Sequence, residues 1–331
     1  MSTLTQFDSG PDTGAAKLVN LQVSNWQLRT AAADHQWYAV AWNGTVFAAI
    51  AHTGALAQVM TSPDGITWTS RTTPSDNYWQ AIAWNGTVFA AVHGGDGAGN
   101  RVMTSPDGIT WTIRTSAADN GWRGIAWNGT VFAAIAPTGT GNRVMTSPDG
   151  ITWTIRTSAA DNQWNAIAWN GTVFAAVAAS GTNRVMTSPD GITWTSRSAS
   201  AANAWQAIAW NGTVFAAVSS TGTDRVMTSP NGITWTTRTS AAAREWFAIA
   251  WNGTVFVVVG DTGGGNNVMT SPDGITWTSR TSTVGGAWRG LAWNSLGTAP
   301  MYLLPAAGTG TVFAAVATSG LVMTSLFLKD E

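Results

Sequence analysis

Four arginines occupy one recurring place in this chain: Arg101, Arg143, Arg184 and Arg225 each stand directly before Val-Met-Thr-Ser. Polar pairs recur at a matching distance: Asp76-Asn77, Asp119-Asn120 and Asp161-Asn162 each lie two residues before a tryptophan. With Trp79, Trp122, Trp164 and Trp205 they make a set suited to sugars. Guanidinium, carboxylate and amide groups exchange hydrogen bonds with hydroxyls, and an indole covers the apolar face of a pyranose. These residues are the candidate ligand-binding site. The competing expectation is structural, with arginine and aspartate pairing across neighbouring units and the indoles filling a core.

Catalytic chemistry is poorly provided for. The only glutamates are Glu245 and Glu331, and the only tyrosines are Tyr38, Tyr78 and Tyr302. Most aspartates sit in repeated turn motifs, which leaves few for an acid–base pair. His35, His52 and His93, with Asp96, belong to the first two units and have the residue types for a metal site, but they are expected to be unrelated rim histidines. No cysteine is present, so disulfides and thiolate metal sites are excluded. No metal, no cofactor and no enzymatic activity are expected.

Charged residues are 10% of the chain and the formal net charge is −1, which removes the basic footprint of a nucleic-acid binder. No apolar run has the length of a membrane span. The N-terminus, MSTLTQFDSGPDTGAA, lacks the basic start and apolar core of a signal peptide. The expectation is synthesis in a cytoplasm, with any exterior location reached through particle assembly or lysis.

The elements that must position these residues are written in an internal repeat. Val-Met recurs at Val59, Val102, Val144, Val185, Val226, Val268 and Val322, with spacings of 43, 42, 41, 41, 42 and 54. Each of the seven units carries three tryptophans, which accounts for all 21. The fourth unit predicts short strands over residues 164–169, 172–177, 184–187 and 192–197. Asn170-Gly171 joins the first two as a two-residue hairpin, since both residues tolerate positive φ. Ser-Pro-Asp-Gly joins the last two: proline presets the turn, aspartate bonds its own backbone and glycine takes the left-handed position. Asn43, Asn85, Asn128, Asn170, Asn211 and Asn252 also satisfy the N-glycosylation triplet, but the turn explains their placement.

Seven four-stranded units predict an all-β, seven-bladed β-propeller. The chain ends after a third strand, and it begins, after an arm, with the outer strand SNWQLRT. The last blade is therefore expected to take three strands from the C-terminus and one from the N-terminus, closing the ring. The expected organisation is an arm at 1–20, the propeller at 21–325 with an insertion at 295–310, and a tail at 326–331. Arg29, Arg71, Arg114, Arg156, Arg197, Arg238 and Arg280 end the outer strands in all seven units and predict a bond to a neighbouring blade.

Ser-Pro-Asp-Gly-Ile-Thr-Trp resembles the Asp-box of sialidase-type propellers, shortened by one residue. It is also similar to the Ser-Pro-Asp-Gly-x-x-Trp repeats of bacterial and phage propeller proteins and, more loosely, to tryptophan-rich propeller lectins. The resemblance covers roughly residues 21–325 and implies a structural turn, not a catalytic motif. Sialidase chemistry needs an arginine cluster, a tyrosine nucleophile with its glutamate, and an acid, which this chain scarcely supplies. The loops of one rim, termed the top, differ between units, whereas the turns of the opposite rim are nearly invariant. Binding loops on a rigid scaffold favour the top. The arm 1–20 and the loop 294–310, with Met301-Tyr302-Leu303-Leu304, gather at the bottom and point to attachment there. The functional expectation is a lectin-like recognition module for surface glycans or polysaccharide, with a protein partner at its bottom face, as in a virion surface or tail. A purely structural virion or scaffold protein is the alternative, and a glycoside hydrolase the next.

Overall fold

The computed structural model describes residues 26–95, 99–261, 267–282, 286–295 and 310–328. The arm at 1–20, most of the 294–310 insertion, Asp96 and the last three residues lie outside the described residues. Twenty-eight strands form seven four-stranded antiparallel sheets, the blades of a seven-bladed propeller. In the fourth blade the strands are Trp164–Trp169, Phe174–Ala178, Val185–Ser188 and Thr195–Arg197. In the seventh, Gln27–Arg29 pairs with Val322–Leu328, with Gln27 opposite Thr324 and Arg29 opposite Val322. The N-terminal strand thus closes the ring as expected.

The core is divided into seven wedges between blades. Each second strand is buried on both faces; Phe174, Ala175, Ala176, Val177 and Ala178 are all 0% exposed. Phe174, Ala176 and Ala178 pack with Trp164 and Trp194 against Ala133, Ile135 and Val144 of the third blade. Ala175 and Val177 face Trp205 and Phe215 of the fifth. Small side chains on one sheet meet large aromatics on the next, which is how a tapering space is filled.

The bottom turns differ in one respect from the expected two-residue hairpin. Trp169 pairs with Phe174, so four residues make the connection. Gly171 has φ 96°, but the asparagines are not left-handed; Ala55 is the one non-glycine residue with positive φ among the described residues. Asn170 instead uses its side chain: Oδ1 accepts from Thr172 N at 2.9 Å, Thr172 Oγ1 at 2.9 Å and Val173 N at 2.7 Å. That local bonding holds the asparagine in a turn without positive φ. The outer-strand arginines also differ from expectation. Arg197 Nε donates to Thr187 Oγ1 at 3.1 Å, and Arg71, Arg114 and Arg156 repeat the bond, within their own blades. The adjacent third strand is closer than any neighbouring blade.

The second bottom turn carries charge. Asp190 Oδ1 accepts from Ile192 N at 2.8 Å, Thr193 N at 3.0 Å and Ser188 Oγ at 3.0 Å. Partial burial opposes ionisation, but these donors outweigh it and hold the carboxyl below its usual range; Asp64, Asp107, Asp149 and Asp273 behave alike. Asn231 builds the same turn in the fifth blade, accepting from Ile233 N at 2.9 Å. Because the folded carboxyls are depressed, their stabilisation is present above the usual carboxylate pKa and is lost as pH falls through it. Replacing all five aspartates by asparagine, on the pattern of Asn231, will preserve the fold and flatten the loss of stability below about pH 4. Urea unfolding between pH 5 and 2 checks this, and an unchanged pH dependence would refute the assignment.

Candidate functional site

Arg101 and Arg143 meet the predicted Asn120 and Asn162, whereas Arg184 and Arg225 do not reach the predicted pairs, and all of these bonds run between protein groups. Arg143 Nη1 donates to Asn162 O at 2.8 Å and Pro137 O at 2.5 Å, Nε donates to Gly139 O at 2.8 Å, and Asp161 lies 3.4 Å away. Arg101 donates to Gly95 O and, at 2.8 Å, to Asn120 O, with Asp119 at 3.7 Å. Arg184 donates to Asn203 O at 2.7 Å, and Arg225 to Gly222 O at 2.8 Å. The amides answer: Asn120 Nδ2 donates to Asn142 O at 2.8 Å, Asn162 Nδ2 to Asn183 O, and Asn77 Nδ2 to Asn100 O at 3.2 Å. In the first blade Gln58 takes the arginine's place, donating to Asn77 O at 2.7 Å. The result is a belt of side-chain-to-carbonyl bonds that braces the top loops from blade to blade. Asp76 is exposed and stands beside a cavity described below.

Trp79, Trp122, Trp164 and Trp205 are each 0% exposed, so none offers the indole face expected to cover a pyranose. Trp122 Nε1 donates to Ala118 O at 3.2 Å and Trp164 Nε1 to Ala160 O at 3.0 Å, under the loop that descends from the rim. These indoles belong to the wedges.

The residue following each of these tryptophans has a different position. Tyr38, Gln80, Arg123, Asn165, Gln206, Phe247 and Arg289, one from each blade, line a cavity of about 360 Å³ at the mouth of the central channel. Six of the seven are bulged residues: pairing of the first two strands skips from Trp37 to Ala39, Trp79 to Ala81, Trp164 to Ala166, Trp205 to Ala207, Trp246 to Ala248 and Trp288 to Gly290. A bulge leaves one residue outside the ladder and re-aims its side chain. Here each bulge frees one side chain for the channel. The signal was present in the sequence: in WYAVAW, WQAIAW, WRGIAW, WNAIAW, WQAIAW, WFAIAW and WRGLAW the second letter changes most.

Polar bonds organise the ring. Arg123 Nη1 donates to Asn165 Oδ1 at 2.9 Å, and Asn165 Nδ2 donates to Trp205 O at 3.0 Å and Gln206 Oε1 at 3.1 Å. Arg289 pairs with Asp261 at 2.8 Å and lies over the Phe247 ring, 3.5 Å from its centroid. Both arginines precede glycine where the other blades have alanine. A Cβ on Gly290 would stand 2.7 Å from Val316 Cγ2 and 2.8 Å from Ala39 Cα, so glycine permits a closer approach of the next blade.

Beside the mouth, between the first two blades, is a second cavity of about 520 Å³ lined by His52, Asp76, Asn77, Tyr78, His93 and Arg101 among others. Tyr78 is 55% exposed and stands between His52 and His93, with ring centroids at 5.7 and 6.0 Å. His52 stacks on Tyr38 at 3.3 Å and shares a 2.7 Å hydrogen bond with Gln80 Oε1, linking the side cavity to the ring. His35 lies apart, against Trp37. Among the described residues no three His, Asp or Glu side chains gather in a metal-ligating cluster.

Burial lowers the His52 pKa from 6.5 to about 4; the Gln80 bond opposes this, and the charges of Arg123 and His93 add to it. The imidazole is therefore neutral at pH 7 and donates its Nε2 proton to Gln80. A base depressed on folding stabilises fully above its unfolded pKa, and that stability is lost as pH falls from about 6.5 toward 4, with a slope of at most about 1.4 kcal/mol per pH unit. His52→Ser, the residue of the fifth blade, will flatten that window, as thermal unfolding between pH 7.5 and 4.5 will show. An unaltered slope would place the titration elsewhere.

No protein-family model matches the sequence, and no curated protein matches it. Solved structures do resemble the fold. Virginiamycin B lyase from Staphylococcus aureus superposes with a TM-score of 0.73 at 12% identity, covering 92% of this chain and 99% of that one. YCF48 from Cyanidioschyzon merolae gives 0.64 at 14% identity over 91% and 98%. A chain of the mitotic checkpoint complex gives 0.62 at 14% identity over 99% and 100%. At such identities the likeness is one of fold alone: this chain is a seven-bladed, tryptophan-rich β-propeller repeat protein.

Proposed function

We propose that this propeller is a non-enzymatic recognition module that binds carbohydrate at its top face. The carrying observation is the ring of residues that follow the first-strand tryptophans: a frame repeated seven times presents five kinds of side chain, all into one open cavity. Amides, guanidinium groups and a phenol around such a cavity suit a hydroxyl-rich ligand. Tyr78, exposed where it lines the adjoining cavity, supplies the aromatic platform that the buried tryptophans do not. The sites proposed from Arg101, Arg143, Arg184, Arg225 and their partners become supports for this mouth, because their donors serve loop carbonyls. The residues lining the mouth include no carboxylate and those of the side cavity include one, Asp76, which favours binding over acid–base hydrolysis.

The opposite face suits attachment to a protein. Ile66, Ile109, Ile151, Ile192, Ile233 and Ile275, one from each of six bottom turns, are 44–47% exposed. A repeated apolar side chain on one rim fits a protein partner better than open solvent. A phage virion surface or tail is the assembly to which the repeat's resemblance points.

Purified protein will bind saturably to a subset of arrayed glycans and bacterial polysaccharides. Tyr78→Ala, and separately Gln80→Ala with Asn165→Ala, will weaken that binding at least about tenfold, or about 1.4 kcal/mol, while circular dichroism reports an intact fold. A blank array from folded protein would overturn the proposal and favour the purely structural role.

A further inference from the structure

The two guanidinium groups of the channel mouth stand in different electrostatic states. Arg289 is neutralised by Asp261 at 2.8 Å and covered by Phe247. Arg123 has no carboxylate within 4.0 Å among the described residues, and its hydrogen bond there is the one to the neutral Asn165 Oδ1. Its Nε and Nη2 donors are left for the channel. The side chain is exposed to the channel's solvent yet ringed by protein, and that surrounding bulk pushes its pKa down.

The local structure holds the group in place. Trp122 N donates to His93 O of the second blade at 2.9 Å, and Arg123 N donates to Ile135 O at 2.8 Å, so the third blade enters the ring differently from the others. A Cβ on Gly124 would lie 3.1 Å from Asn165 O and 3.2 Å from Ala166 Cα, which shows how closely the fourth blade approaches beneath the arginine. Asn165 is itself fixed by Trp205 O and Gln206 Oε1. The neighbouring imidazole of His52 is neutral and adds no charge of its own to the mouth. A cation aimed by an amide, with two donors and its charge unmatched among the described residues, is arranged for an oxyanion.

We infer that the ligand of the channel mouth is acidic, its carboxylate or sulfate oxygens received by Arg123 with Gln80 and Tyr38 beside it. The inference rests on the carbohydrate reading for the sugar and on the geometry of Arg123 for the charge. A uronic acid or a sulfated sugar unit supplies both.

The test titrates full-length protein with glucuronate, glucose 6-sulfate and glucose, read by the His52 ring resonances in NMR, with His52→Ser to assign them. One or both anions will shift the His52 signals saturably and raise its apparent pKa in part, because an anion beside Arg123 cancels the positive charge that adds to the depression by burial. Glucose will bind at least tenfold more weakly. Arg123→Gln, which places the residue of the second and fifth blades in the third, will weaken anion binding at least tenfold, and Arg123→Lys will retain part of it. Glucuronate and sulfate arms tell the two oxyanions apart. Equal binding of glucose, or anion binding intact in Arg123→Gln, overturns the inference while a positive glycan array leaves the carbohydrate reading standing. Anion binding at Arg123 with a blank array keeps the oxyanion site and removes the sugar. No anion binding overturns the inference whatever the array shows.

Discussion

Burial of the second strand on both of its faces is the constraint from which the rest of this molecule follows. A sheet only four strands deep, with a second strand of phenylalanine, alanine and valine or isoleucine fully enclosed on both faces, cannot be stable alone. Each blade needs a neighbour on either side, and the demand ends only when the ring closes. The strand Gln27–Arg29 meets it at the seam, with Trp26 1% exposed and 6.3 Å from Phe313. Removing that strand would open two unsatisfied faces and an unpaired sheet edge at once.

A ring built this way leaves little freedom inside the wedges and much at the mouth. The tryptophan at the head of each first strand is committed to packing, and in six blades the residue after it leaves the ladder as a bulge whose side chain projects toward the channel. Variation there is nearly free of packing cost. The units differ at the mouth by tyrosine, glutamine, arginine, asparagine and phenylalanine, while their wedges remain nearly identical. Above them the belt of Gln58, Arg101, Arg143 and Arg184 with Asn77, Asn120, Asn162 and Asn203 stiffens loops whose sequences differ. Rigid support under variable side chains is the arrangement that recognition demands.

Electrostatics at the mouth follow from which groups have partners. Asp261 answers Arg289, and no described carboxylate answers Arg123. Burial, with a smaller contribution from the Arg123 charge, keeps His52 neutral, and His52 in turn ties Gln80 and Tyr38 to the side cavity. All three histidines and two of the three tyrosines stand in the first two units.

The number of blades, the strand order and the closure were legible in the sequence, because a repeat of 41 to 43 residues with three tryptophans forces one arithmetic and the two chain ends complete each other. The bottom turns were legible as turns, since Asn-Gly and Pro-Asp-Gly carry their own backbone chemistry. Their detail was not: whether asparagine turns by positive φ or by capping with Oδ1 depends on the length of the connection, which pairing of Trp169 with Phe174 decides. The sequence also showed which residue types could meet a sugar, but not their direction. Arg143 and Arg184 bond loop carbonyls and Trp164 turns inward because those loops and wedges come together only in the folded ring. The bulge that sends Tyr38, Gln80 and Asn165 into the channel is likewise a matter of register, which a linear pattern does not carry. Composition and periodicity dictate what must be buried; where the remaining side chains point is settled by the strands beside them.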